Sequence, residues 1–154
     1  MAGVRSGNMD LGAPRELTRP DEIRALLIST RRIAVLGMKT EEQGNQPAFY
    51  VAQYLIEAGL DVIPVPVYYP NVTHICGMPV HRKVASIDPP VDMVDVFRRP
   101  ADLPPHVPDL IAARPRSVWL QSGIRNDAVA RQLIEAGIFV VQDRCLMVEH
   151  RRMR

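Results

Sequence analysis

The stretch Arg31-Arg32-Ile33-Ala34-Val35-Leu36-Gly37 constrains this fold more than any other part of the chain. Two charged residues lead into a short apolar run, which stops at a glycine and opens into a polar loop from Met38 to Gln46. The loop then meets Pro47 and a segment whose apolar residues recur at helical spacing. Strand, glycine turn and helix in that order make the first unit of an open α/β domain of the kind that binds nucleotides. The chemistry lies at the helix start, where unpaired backbone N–H groups and the helix dipole favour phosphate. A phosphorylated nucleotide is therefore expected at this turn.

The rest of the chain alternates in the same way. Pro20 opens a helix with Asp21 and Glu22 in its first turn, and Ile23, Leu26 and Leu27 form its apolar face. From Pro47 to Ala58, Phe49, Ala52, Leu55 and Ile56 share one helical face, and Gly59 is placed to end the helix. Leu60 to Val65 reads as a buried strand, with Pro64 and Pro66 marking where it ends. Residues 68–90 are irregular, with a short pairing expected at 77–80 and one helical turn at 84–87. Val91 to Phe97 resumes as a strand with Asp92 at its start. A helix follows within Pro104–Arg114, its regular part confined to the later half by Pro108 or carrying Pro108 in a first turn, then a strand from Arg116 to Gln121 that stops at Ser122-Gly123. Leu55-Ile56-Glu57-Ala58-Gly59-Leu60 recurs as Leu133-Ile134-Glu135-Ala136-Gly137-Ile138, each copy preceding an apolar strand. Such an echo suits a domain built of two βαβ halves. Asp143 to His150 leads into a last short helix, whose negative end suits the crowded Arg151, Arg152 and Arg154.

This pattern predicts an α/β fold: a doubly wound parallel sheet in three layers, α/β/α, as a single domain over 18–154 behind a flexible leader at 1–17. At 154 residues such a domain buries roughly 68–70% of its unfolded surface. A net charge of +2 argues for neither a nucleic-acid nor a membrane partner. The two cysteines, Cys76 and Cys145, form no CxxC pair, and no secretory or membrane segment is read. A cytoplasmic chain with reduced thiols is expected.

In a doubly wound sheet the ligand crevice lies at the carboxyl ends of the strands. That rule gathers Gly37–Lys39, Val65–Val67, Phe97–Arg99 and Gln121–Gly123 around one rim. The ligand is harder to read. The turn Gly37-Met38-Lys39-Thr40-Glu41-Glu42-Gln43-Gly44 has the wrong spacing for Gly-x-Gly-x-x-Gly. The second strand ends Pro64-Val65-Pro66-Val67 without a carboxylate for a ribose diol, so NAD is disfavoured, and no Walker pattern is present. His74, His81, His106 and His150 have no metal-ligand spacing, and His74-x-Cys76 alone is a weak zinc signal. No GxSxG nucleophile elbow occurs. Neither catalytic nor metal-binding residues are assigned.

Five segments together carry a family likeness. Ile33–Gly37, Val62-Ile63-Pro64-Val65, Val94-Asp95-Val96-Phe97-Arg98-Arg99-Pro100, Val118-Trp119-Leu120-Gln121-Ser122-Gly123-Ile124 and Asp143-Arg144-Cys145 resemble the small, single-domain coenzyme A-binding proteins. That family looks like the nucleotide-binding domain of the succinyl-CoA synthetase α subunit standing alone. The resemblance covers 33–150 and implies a Rossmann-like domain that binds coenzyme A or an acyl-CoA through its adenosine diphosphate end; binding without catalysis is expected, because these residues leave no room for the phosphohistidine segment and nucleotide-grasp domain of an acyl-CoA synthetase. It implies phosphate contacts at Gly37, Met38, Lys39 and the helix start at Pro47, and an adenine flanked by Val65 and Pro66. Phe97, Arg98, Arg99, Gln121, Ser122 and Gly123 complete the rim. The chain departs from the family at Gly37-Met38-Lys39, where a small Gly-Ala-Ser type turn is common.

Plainer roles stand beside these. Lys39 can be a solvated loop lysine, Arg98 and Arg99 can pair with carboxylates such as Asp102, Phe97 and Trp119 can be core, and Gln121 can satisfy backbone groups. Cys145 reads first as a partly buried structural cysteine; beside Arg144 and a helix start its thiolate could instead form a mixed disulfide with coenzyme A by exchange with oxidised coenzyme A, one coenzyme A thiol leaving. The alternative functions are an NAD(P)-dependent redox enzyme and a non-catalytic interaction subunit of an acyl-CoA ligase. The expected state is a monomer or a weak homodimer.

Overall fold

The apolar runs become strands because their β-branched residues suit a sheet buried on both faces, which only helical crossovers provide. The computed structural model describes residues 10–154. In chain order the elements are α1 (Pro20–Ile28), β1 (Arg32–Leu36), α2 (Pro47–Glu57), β2 (Asp61–Val65), β3 (His74–Ile75), β4 (Met78–Pro79), β5 (Met93–Val96), α3 (Val107–Ala113), β6 (Ser117–Leu120), α4 (Asp127–Glu135), β7 (Phe139–Val141) and α5 (Leu146–Arg152). Five strands form one parallel sheet in the order β2-β1-β5-β6-β7, while β3 and β4 pair as a separate antiparallel hairpin. Counting sheet strands only, this is the 2-1-3-4-5 order of flavodoxin-like domains, one of the two common orders of the doubly wound parallel sheet that the alternation predicts. The chain runs outward from β1 to β2 and then crosses back to β5. The topological switch therefore falls between β1 and β5.

Alternation along the strands divides the core in two. Ile33, Val35, Val62, Met93 and Trp119 pack with α1, α2 and α5 through Leu26, Leu55 and Leu146. Ala34, Leu36, Val94, Val96, Val118 and Leu120 pack with α3 and α4 through Leu110 and Leu133. The helices thus cover both faces of the sheet. Residue Asp95 breaks the pattern: in register with Val35 and Trp119, it is fully buried and its carboxyl oxygens have no hydrogen-bond partner among the described residues.

Of the expected leader, residues 1–9 lie outside the described residues. The part that is described belongs to the domain. Leu11 and Leu17 are buried in the core, Leu17 N–H donates to Val140 O at 2.8 Å, and Glu16 bridges Val140 in parallel. The open edge of β7 offers unpaired backbone groups, and two leucines supply the apolar anchors that hold the segment there.

Candidate functional site

The β1 turn is shaped by how closely β5 follows it. Gly37 has φ 86°, its N–H donates to Val65 O at 2.9 Å, and Phe97 N–H donates to Leu36 O at 2.9 Å. A Cβ at Gly37 would stand 2.4 Å from Phe97 O, so only glycine fits. Beyond it, Met38 drops into the core with 1% exposure, and Lys39 N–H returns to Ala48 O at 3.1 Å. Thr40 and Gln43 close a capping box over the 3-10 turn Glu41–Gln43. The turn is tied to the hairpin by Cys76 N–H, which donates to Glu41 Oε2 at 2.8 Å. Helix α2 then starts with Pro47 at its head, and Gln46 offers no side-chain cap.

The end of β5 supplies two cations. Arg98 crosses the turn, its Cδ 3.3 Å from the place a Gly37 Cβ would take. Its Nε donates to His106 Nε2 at 3.2 Å, its Nη1 reaches Tyr68 Oη at 3.4 Å, and its Nη2 lies 3.9 Å from Asp102. Burial, and then the Arg98 charge, push the His106 pKa down, which keeps that ring neutral and able to accept. Arg99 Nε bonds Asp102 Oδ2 at 2.8 Å while most of its side chain is exposed. The hydrogen bond from Arg99 holds the Asp102 carboxyl below its usual range. At the end of β6, Gln121 Oε1 accepts from Leu146 N–H at 3.0 Å and so starts α5, and Gly123 N–H donates to Asp143 Oδ1 at 2.6 Å.

Between these strand ends and the start of α2 lies a cavity of about 470 Å³. It brings together Lys39, Pro47, Phe97, Arg98, Arg99, Gln121, Ser122 and Gly123, all expected on the rim. The other expected residues stand apart from it. Gly37 forms the turn beneath, the side chains of Met38 and Val65 are core, and Pro66 is buried. Tyr50, Ile124 and half-buried Cys145 line the cavity without having been singled out as rim residues. Tyr50 was legible in principle, one helical turn beyond Pro47. The result is a cleft with three cations and apolar walls at Pro47, Ala48, Tyr50, Phe97 and Ile124. That donor set fits a long ligand with an anionic part and an apolar part. Among the described residues, no group of three or more His, Cys, Asp or Glu could hold a metal ion. No helix of the described residues is long and apolar enough to cross a membrane.

Comparison with known proteins shows the family and the fold. Residues 31–151 match the family described as the CoA binding domain. The YneT protein of Bacillus subtilis is 30% identical over 129 residues, covering 84% of this chain and 92% of the relative. The solved structure of cell-free ID.343 from Thermus thermophilus is 43% identical and superposes with a TM-score of 0.80, covering 89% of this chain and 100% of that one. An acetyl-coenzyme A synthetase of Candidatus Korarchaeum cryptofilum shares the fold alone: 16% identity, TM-score 0.64, over 74% of this chain and 26% of the synthetase.

Proposed function

The chain belongs to the CoA binding domain family, and from that premise we propose that it binds coenzyme A or an acyl-CoA at the carboxyl rim of the sheet, without chemistry of its own. One observation carries the reading: the cavity at the switch side of the sheet has Lys39, Arg98 and Arg99 in its wall, beside the start of α2. Phosphates need fixed donors and positive charge, and a cleft that excludes water strengthens both. The adenosine end would lie toward β2 and the phosphates over Gly37–Lys39. The pantetheine arm would run along the apolar wall formed by Phe97, Tyr50 and Ile124. The absence of a carboxylate at the end of β2, where the chain reads Val65-Pro66-Val67, favours this ligand over NAD.

Calorimetric titration of single variants with coenzyme A tests the reading. Lys39→Ala and Arg98→Ala should each weaken binding by about 1–3 kcal/mol, the scale of a charge-assisted hydrogen bond. Affinity should also fall as salt is raised. Unchanged affinity in both variants would take the phosphates away from this turn.

A further inference from the structure

Beyond the cavity, the loop after β2 is organised around a single side chain. Residues 66–72 follow the edge strand without secondary structure of their own. Four of their carbonyls converge on the Arg82 guanidinium: Tyr68 O at 3.0 Å and Pro66 O at 3.5 Å from Nη1, Tyr69 O at 2.8 Å and Val72 O at 2.9 Å from Nη2. Tyr69 takes φ 62° to make this ring of carbonyls, a conformation uncommon for a residue with a Cβ. Arg82 is itself fixed, because its neighbour His81 donates its N–H to Pro64 O of β2 at 3.0 Å. The loop is therefore wrapped around a cation tethered to the sheet.

The clamp has one visible product. Tyr68 stands at the carboxyl end of β2, 57% exposed, with the Arg98 guanidinium 5.5 Å from its ring centre. Tyr69 braces it edge-on at 6.4 Å. Arg98 in turn lines the cavity, so the ring is one side chain away from the phosphate-facing cations. A held aromatic with solvent over much of its surface is a stacking platform for a base. Resting on the coenzyme A reading above, we propose that Tyr68 forms the purine-facing wall of the site and that Arg82 is the positioning residue that holds it there.

Because Arg82 would act through Tyr68, the two must be coupled in binding, whereas a loop held only for stability would show no such coupling. The test is calorimetric titration of coenzyme A into the full chain and into Tyr68→Ala, Tyr68→Phe, Arg82→Gln and the Tyr68→Ala/Arg82→Gln double variant. The expected result is a rise in Kd of about tenfold for Tyr68→Ala and for Arg82→Gln, with no further rise in the double variant. Tyr68→Phe, which keeps the ring, should stay within about twofold. Should Arg82→Gln fail to fold, the Ala and Phe variants at position 68 still decide whether the ring matters. A wild-type chain that binds coenzyme A with the same Kd as Tyr68→Ala, or losses that add in the double variant, would overturn this inference alone. A wild-type chain that ignores coenzyme A would overturn the underlying reading and this inference with it.

Discussion

Asp95 sits in the centre of the sheet, two residues before Phe97 on the same face and thus one pleat beneath the cavity wall. Its carboxyl group is fully buried without a partner among the described residues, and desolvation raises its pKa well above the usual aspartate value of 3.8. It is therefore neutral in the fold and ionised in the unfolded chain at higher pH. The stability that the neutral form contributes is fully present below about 3.8 and is lost as pH rises through the raised folded-state value. Asp95→Asn removes the titration, so the variant should gain on the wild type with rising pH, by as much as about 1.4 kcal/mol per pH unit within that window. Urea unfolding at several pH values reads this directly, and parallel stability profiles would contradict it. Lys39 and Arg98 were legible because the strand-end rule alone places them on the rim. Asp95, Tyr68 and Arg82 were not: a buried acid reads as part of an alternating strand, and the Arg82 clamp depends on four carbonyls that no spacing announces.

Among the elements, the helices and sheet strands follow their apolar periodicity to within a residue or two. Local chemistry sets the finer details. The helix read within 104–114 keeps to the limits Pro108 sets: a 3-10 turn at Pro104–His106 comes first, and α3 carries Pro108 in its first turn, where no N–H is needed. The 3-10 turn at Val84–Ser86 is held by Asp109, whose carboxylate accepts from Val84 N–H at 2.8 Å and Ala85 N–H at 3.0 Å. The segment at 10–17 lacks periodicity and reads as a leader, yet it extends the sheet beyond β7. Leu17, 1% exposed, should anchor it. Leu17→Ala is expected to cost about 2–5 kcal/mol in thermal or denaturant unfolding, and a loss below about 0.5 kcal/mol would mean the segment adds nothing to the domain.

At the scale of the whole molecule, the order β2-β1-β5-β6-β7 sets the site. β1 and β5 are neighbours whose onward connections run to opposite sides, so the sheet opens a crevice at their carboxyl ends. The edges beyond are covered, by the β3–β4 hairpin near β2 and by residues 15–17 on β7. At that rim Lys39, Arg98 and Arg99 meet an apolar wall. The central claim is that this rim takes coenzyme A by its phosphorylated end. Calorimetric titration of the chain with coenzyme A, acetyl-CoA, ATP and NAD is its most direct test. The account expects saturable one-site binding of coenzyme A below about 1 mM, with NAD much weaker. A chain that takes up no coenzyme A at about that concentration, or that binds NAD more tightly, would contradict it.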